Sequence, residues 1–159
     1  MEGHLVITED EYLYYVDRAL DGMAAIVAEL GDEGANIRPL PGANSPYALL
    51  THCLGVTSYW AGALVSGREV ARDRDAEFVS SGPVGPLLEK VKEVRARLAE
   101  DVRAAVPADP LRGTPPDGFL GPDDVQTQGS ALLHVYEELA QHHGQMEILR
   151  DAIHAGAAA

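Results

Sequence analysis

The chain has 159 residues and a formal net charge of −13, from 12 Lys and Arg against 25 Asp and Glu. This length suits one domain with a buried core, so we expect a single domain over residues 1–159. The acidic balance disfavours nucleic acid and anionic membranes as partners, while the single cysteine and the lack of a leader or of about 18 continuous apolar residues favour a cytoplasmic protein.

The first predicted helix begins at a capping box, because Thr8 is followed three residues later by Glu11. Gly31 and Gly34, with the prolines that follow them, predict the end of this helix. Apolar residues recur between these points at alternating steps of four and three, as expected for one face of an amphipathic helix. They are Tyr12, Val16, Ala19, Met23, Ile26 and Leu30.

The second predicted helix has Asn44 or Ser45 as its N-cap and Pro46 in its first turn, and it is expected to end near Gly67. The polar segment 68–81 that follows has no long apolar period. We therefore predict a long connection there rather than a core element. The apolar face of the second helix is Leu49, Cys53, Val56, Trp60 and Ala63.

Two further helices complete the pattern. The third is predicted from Pro83 to a point before Pro107, and the segment 107–129, which is rich in proline and glycine, predicts a loop. Four long amphipathic helices without competing strand patterns predict an all-α four-helix bundle, and the long connection after the second helix allows a crossover. The apolar faces are Val84, Leu87, Val91, Val94, Leu98 and Val102, then Leu132, Val135, Leu139, Met146, Leu149 and Ile153.

One polar residue interrupts the apolar face of the last helix, since His142 stands where an apolar residue is expected. The nitrogens of a buried imidazole need partners, because an unpaired buried polar group costs about 1–3 kcal/mol. Glu138 precedes His142 by four residues and projects from the same face one turn away. This spacing suits two ligands of one metal ion. The alternatives are a core histidine paired with protein groups and an ordinary solvated Glu–His pair.

A third metal ligand is expected from a facing helix, and His52 is the candidate, because it adjoins the apolar face of the second helix. Two imidazoles and one carboxylate leave positions open on a divalent ion, as in catalytic sites. His143 points about 100° away from His142 and is expected beside the site or at the surface. His134 could be a ligand, a proton shuttle or a surface residue, and we favour a role short of ligation; Gln145 could orient a ligand or substrate.

Cys53 is a candidate nucleophile by residue type alone. Nothing in the sequence lowers its pKa, so a small inert apolar residue is the preferred interpretation. Tyr59 and Trp60 are similarly expected to be core residues rather than stacking platforms for a ligand.

Two segments resemble the ligand helices of the DinB-like superfamily. The first is residues 44–56, NSPYALLTHCLGV, and the second is residues 134–145, HVYEELAQHHGQ. The resemblance implies a four-helix bundle with a crossover, and metal ligands at His52, Glu138 and His142. Glu138 occupies the place of a histidine that is usual in the superfamily, as in the branch similar to mycothiol-dependent maleylpyruvate isomerase and the mycothiol transferases.

This resemblance implies a metal-dependent transferase that joins mycothiol or a similar thiol to an electrophilic small molecule, in detoxification or stress response. Zinc is expected first, with nickel, manganese or iron as alternatives, because a carboxylate ligand makes the site less selective for zinc. The loop 107–129 is the expected adjustable wall of the substrate site, and a homodimer is a further expectation. The alternative functions are a metal-binding stress or interaction protein without turnover, and a metal-dependent hydrolase.

Overall fold

The computed structural model describes residues 5–115 and 127–157, and these ranges are helical apart from turns, loops and one isolated bridge between Pro110 and Thr127. The all-α prediction is therefore confirmed. Part of the predicted loop 107–129, residues 116–126, lies outside the described residues. The helices are α1 (Glu9–Gly34), α2 (Pro46–Thr57), α3 (Arg74–Phe78), α4 (Val84–Ala104) and α5 (Gln128–Ala157), and α2 continues as a π-helix over Ser58–Val65.

The first two helices begin at side-chain caps. Thr8 accepts a hydrogen bond from the backbone N–H of Glu11 at 3.2 Å, and the Glu11 carboxylate accepts one from the backbone N–H of Thr8 at 2.8 Å. The predicted capping box is thus confirmed. Of the two candidate caps for α2 it is Ser45 that accepts from the N–H of Ala48, at 3.1 Å, with Pro46 in the first turn.

The π-helix changes the buried face of the second long helix. One turn of a π-helix contains more residues than one turn of an α-helix, so residues on the same face are spaced further apart in the sequence. Trp60 is buried as predicted, but Ala63 is half-exposed and Leu64 takes the core position. The assignment of Ala63 to the apolar face was therefore wrong, because it assumed unbroken α-helical spacing. The helix ends before Gly67, whose φ of 74° favours glycine.

Helices α1 and α5 run parallel to each other. Near their beginnings, the Tyr12 hydroxyl donates to the backbone oxygen of Leu132 at 2.5 Å. Near their ends, the Glu29 carboxylate lies 2.9 Å from Nε2 of His154. If every long helix turned straight back on the one before it, the first and the last of the four would be antiparallel. Because α1 and α5 are parallel, one connection must instead run the length of the bundle.

That return lies between α2 and α4, which are also parallel. The backbone N–H of Tyr47, in the first turn of α2, donates to Ala35, and the Tyr47 hydroxyl lies beside Gly82, just before α4. Beyond the π-helix, the Ser66 hydroxyl donates to Asp101 near the end of α4 at 2.8 Å. The predicted crossover between the second and third long helices is confirmed.

The core lies between the four long helices and follows the predicted apolar faces of α1, α4 and α5. The apolar segment Pro46–Val65 has the length and composition of a membrane span, which the sequence analysis did not expect, with a mean hydropathy of 1.3. However, 72% of its most apolar 18-residue stretch is buried inside the protein, as in the core helix of a bundle. Its fully buried large side chains include Leu49, Leu50, Trp60 and Leu64.

The connection 68–81 is not wholly irregular. It contains the short helix α3, which is capped by Asp73 through a 3.0 Å hydrogen bond from the N–H of Ala76. Helix α3 packs against α2 and buries Glu77, which is only 7% exposed. The segment is a long connection, as predicted, and none of its residues belongs to the hydrophobic core, against which only Phe78 packs. The short helix itself was not predicted, because a single turn is too short to produce a periodic pattern.

Candidate metal centre

His52 reaches the site from a helix that is apolar on almost every side. Its neighbours Leu49, Leu50, Cys53 and Leu54 are buried, and His52 itself is only 3% exposed. The imidazole has a partner on each side: Nδ1 lies 2.8 Å from a carboxylate oxygen of Glu77, and Nε2 lies 3.2 Å from Oε2 of Glu138. Both ring nitrogens are therefore paired, as burial requires.

Glu138 and His142 complete a cluster with His52. They are one turn apart on α5, and Nε2 of His142 lies 3.5 Å from the same Oε2 of Glu138. One donor atom from each of the three residues falls within 4.8 Å of the others, and the two imidazole rings are nearly perpendicular at 89° with centroids 5.1 Å apart. The structure thus brings together the three residues that the sequence analysis selected.

The cluster is deep on one side and open on the other. The side chain of His52 is 4% exposed, whereas those of Glu138 and His142 are 22% and 21% exposed. His142 is thus half-buried rather than fully buried. Gln145, one turn further along α5, accepts at 2.9 Å from Nδ1 of His142 when that nitrogen carries the ring proton.

Hydrogen bonding sets the charges of the cluster. Bonds from His142 and His52 hold the pKa of Glu138 far below its ordinary value. Burial opposes charge on His52 and Glu77, but hydrogen bonds to the two carboxylates raise the pKa of His52, and bonds from His52 and Arg72 lower the pKa of Glu77. Both carboxylates are therefore ionised at neutral pH, and Glu138 offers an anionic donor atom within the cluster.

A family model described as mycothiol S-transferase matches residues 12–155. The chain belongs to the mycothiol S-transferase family. The match includes all of α2 and α4, most of α1 and α5, and both segments that resemble the DinB-like ligand helices, so the predicted relationship is confirmed. No match was found among curated proteins or among solved structures.

In this mycothiol S-transferase family member, three other histidines contact residues outside the cluster. His143 packs against α1, where a Cβ on Gly22 would lie 2.1 Å from its Nε2. His134 is 5% exposed, stacks edge-on against Trp60 and pairs with Glu137 at 3.2 Å. The third, His154, is half-exposed beside Glu29. A role short of ligation for His134 and His143 stays a prediction.

Cys53 has the environment of an inert core residue. It is fully buried, and burial together with the nearby carboxylates of Glu138 and Glu77 raises the pKa of its thiol well above the ordinary value. The thiolate is the reactive form of cysteine. This member of the mycothiol S-transferase family therefore lacks a protein nucleophile at Cys53.

The sequence analysis missed Glu77 and its partner Arg72. Arg72 donates to both oxygens of the Glu77 carboxylate, at 2.7 and 3.0 Å. One usable signal was Phe78, an aromatic residue within a polar segment and one of only two phenylalanines in the chain. Its ring stacks on His52 with centroids 4.4 Å apart, so an isolated aromatic residue marked the turn that docks on the site.

Proposed function

We propose that the chain is a metal-dependent mycothiol S-transferase in which His52, Glu138 and His142 hold one divalent ion, zinc being the first choice. The reaction would join the sulfur of mycothiol to an electrophilic small molecule. The observation that carries this proposal is the convergence of three donor atoms within 4.8 Å in a chain of this family.

Two of the three distances between donor atoms are close to those in a zinc site. In a tetrahedral site with bonds of about 2.0–2.1 Å, neighbouring ligand atoms lie about 3.3–3.4 Å apart. The distances from Oε2 of Glu138 to Nε2 of His52 and to Nε2 of His142 are 3.2 and 3.5 Å. Two imidazoles and one carboxylate are also a ligand set found in catalytic zinc sites, which keep a position open.

A thiol nucleophile must come from outside the protein. Cys53 is the only cysteine of the chain, and it is fully buried with a raised pKa. A divalent ion with an open position binds the sulfur of a small thiol and keeps it deprotonated near neutral pH. This chemistry supports a role for a low-molecular-weight thiol, which agrees with the name of the family.

The residues of the site determine how the thiol and its acceptor approach and react. His52 closes the buried side, so the thiol and its acceptor approach past the partly exposed side chains of Glu138 and His142. The thiol proton leaves to solvent, and the sulfur electron pair forms the new bond to the electrophilic carbon while the bond from that carbon to its leaving group breaks and the leaving group departs with its electron pair, as bromide does from monobromobimane. Because Glu138 would be a ligand, it is not free to act as the general base of a hydrolase. This disfavours the hydrolase alternative.

Two measurements test the proposal. Elemental analysis of the purified protein should give about one transition metal per chain, lost in His52→Ala and His142→Ala. His154→Ala is the matched control, because its half-exposed ring pairs only with Glu29 in the described structure. Metal-loaded protein should then accelerate conjugation of mycothiol to a model electrophile such as monobromobimane.

The outcomes separate the candidate functions. Stoichiometric metal with an accelerated conjugation supports the transferase. Stoichiometric metal with no effect on the rate would favour a metal-binding protein without turnover. Negligible metal in the wild type, with stability unchanged by chelators, would reject the site itself. The detoxification role, the homodimer and the cytoplasmic location stay predictions.

A further inference from the structure

A buried carboxylate holds the far side of the His52 ring. Glu77 is 7% exposed, and its Oε2 lies 2.8 Å from Nδ1 of His52, on the opposite side of the ring from Nε2 and Glu138. A buried charge is unfavourable unless it is paired and hydrogen-bonded. Arg72 supplies that pairing through two hydrogen bonds to the same carboxylate, at 2.7 and 3.0 Å.

The fold around His52 leaves this carboxylate one place to lie. Gly55 follows His52 by one turn of α2, and a Cβ built on it would lie 2.0 Å from Oε1 of Glu77. The ring of Phe78 stacks on a face of the His52 imidazole, with ring centroids 4.4 Å apart and an interplanar angle of 29°. Helix α3 thus fixes the His52 ring both by its face and by its Nδ1 edge.

We infer that Glu77 is a positioning residue of the metal centre: held by Arg72, its carboxylate keeps the proton on Nδ1 of His52 and aims Nε2 at the ion. A carboxylate that accepts from the second nitrogen of a ligating histidine fixes its tautomer and orientation and strengthens it as a ligand. This inference rests on the proposed metal site of His52, Glu138 and His142.

The two histidines of the site differ in the group that faces Nδ1. Nδ1 of His52 faces a buried, charged acceptor, whereas Nδ1 of His142 faces the neutral amide oxygen of the exposed Gln145 at 2.9 Å. Hydrogen bonds to ionised acceptors are about twice as strong as neutral ones. Metal affinity should therefore depend more on Glu77 than on Gln145.

Two alternative roles for Glu77 predict different contacts or different effects of its loss. As a metal ligand it would need a free oxygen near Nε2 of His52, but its oxygens are taken by Arg72 and by Nδ1. If Glu77 only held α3 against α2, its loss would lower the stability of the fold but would not change the affinity of the folded protein for metal. Affinity at a temperature where every variant is folded separates these roles.

The test measures zinc affinity by competition with a chromogenic chelator, and the visible spectrum after cobalt loading, for wild type and variants. Glu77→Ala should weaken zinc binding by about 10–100-fold, and Glu77→Gln should weaken it less while retaining an acceptor. Gly55→Ala should act in the same direction, because its Cβ displaces the carboxylate without changing any charge. All three should still bind one ion, with a cobalt spectrum like that of the wild type.

Two control variants match these changes. Asp101→Asn removes a carboxylate that is also buried and paired with an arginine, but it contacts Ser66 and Arg68 rather than His52. Gly85→Ala adds a Cβ to a helical glycine with nothing within 4 Å. Both should keep the zinc affinity of the wild type, whatever they do to thermal stability.

The outcomes that would overturn the inference are specific. If Glu77→Gln and Gly55→Ala both bind zinc as tightly as the wild type, Glu77 does not position His52, although the proposed site stands. If a folded Glu77 variant changes the cobalt spectrum to that of a site lacking one ligand, Glu77 is itself a ligand. If the wild type binds no metal, the proposed function fails together with this inference.

Discussion

Replacing Glu138 by glutamine removes the charge that joins the two histidines and keeps the size of the side chain. Its Oε2 is 3.2 Å from His52 and 3.5 Å from His142, and the side chain is 22% exposed. Each of these bonds contributes about 0.5–1 kcal/mol in such a position. We therefore expect the metal-free variant to lose about 1–2 kcal/mol, a fall in Tm of about 2–8 °C for a chain of this length.

The effect on zinc binding should be larger than the effect on stability. Zinc at 100 times its Kd stabilises a folded protein by about 2.7 kcal/mol, or about 5–11 °C in Tm. Losing the hydrogen-bonding partner of a ligand costs about 10–100-fold in affinity, so we take about 100-fold as the least cost of losing the ligand itself. At the same zinc concentration the variant would then gain only about 0.4 kcal/mol, or about 1–2 °C.

Thermal unfolding with and without zinc, followed by circular dichroism, measures both effects. Glu137→Gln is the matched control, because the neighbouring carboxylate is 49% exposed and pairs with His134 instead of the cluster. It should keep the full zinc-dependent shift. A Glu138→Gln variant that also keeps the full shift would refute the reasoning, since the carboxylate would then not be a ligand.

Further predictions concern protons, the thiol and a distant ion pair. Zinc loading measured by equilibrium dialysis should fall from about pH 8 to about pH 5, because protons compete with the ion for Nε2 of His52, whose pKa is raised by hydrogen bonds to Glu138 and Glu77 although burial opposes its charge; loading that is constant over this range would contradict histidine ligation. Cys53 should react with a thiol reagent only after unfolding, and Cys53→Ala should retain transferase activity; a loss of activity in the folded variant would restore Cys53 as nucleophile. Asp101→Asn should lower the free energy of unfolding in urea by about 2 kcal/mol, because it breaks a buried pair with a partly exposed Arg68; an unchanged midpoint would show that the pair contributes nothing.

The long helices were predictable because their apolar faces repeat. The positions of α1, α4 and α5 follow from that repeat, and the crossover follows from the length of the segment 68–81. The π-helix was not predictable, since it depends on how Ser58–Val65 packs against α4 and α5. For that reason Ala63 was placed in the core where Leu64 lies.

The candidate site was predictable only in part. His142 interrupts an apolar repeat and Glu138 precedes it by one turn, so local spacing selected both. His52 came from its place beside an apolar face and from the resemblance to a known family. Glu77 was not selected, because its contact with His52 joins residues 25 positions apart through a turn without periodicity, which the isolated Phe78 alone marks in the sequence.

The most direct test of the central claim is X-ray absorption spectroscopy of the zinc-loaded protein before and after addition of mycothiol. We expect a first shell of nitrogen and oxygen atoms alone, and then one sulfur atom at about 2.3 Å once the thiol is present. The sulfur should be absent when the thiol is replaced by its S-methylated form. A first shell that does not change on addition of mycothiol would show that the ion does not bind the sulfur of the thiol.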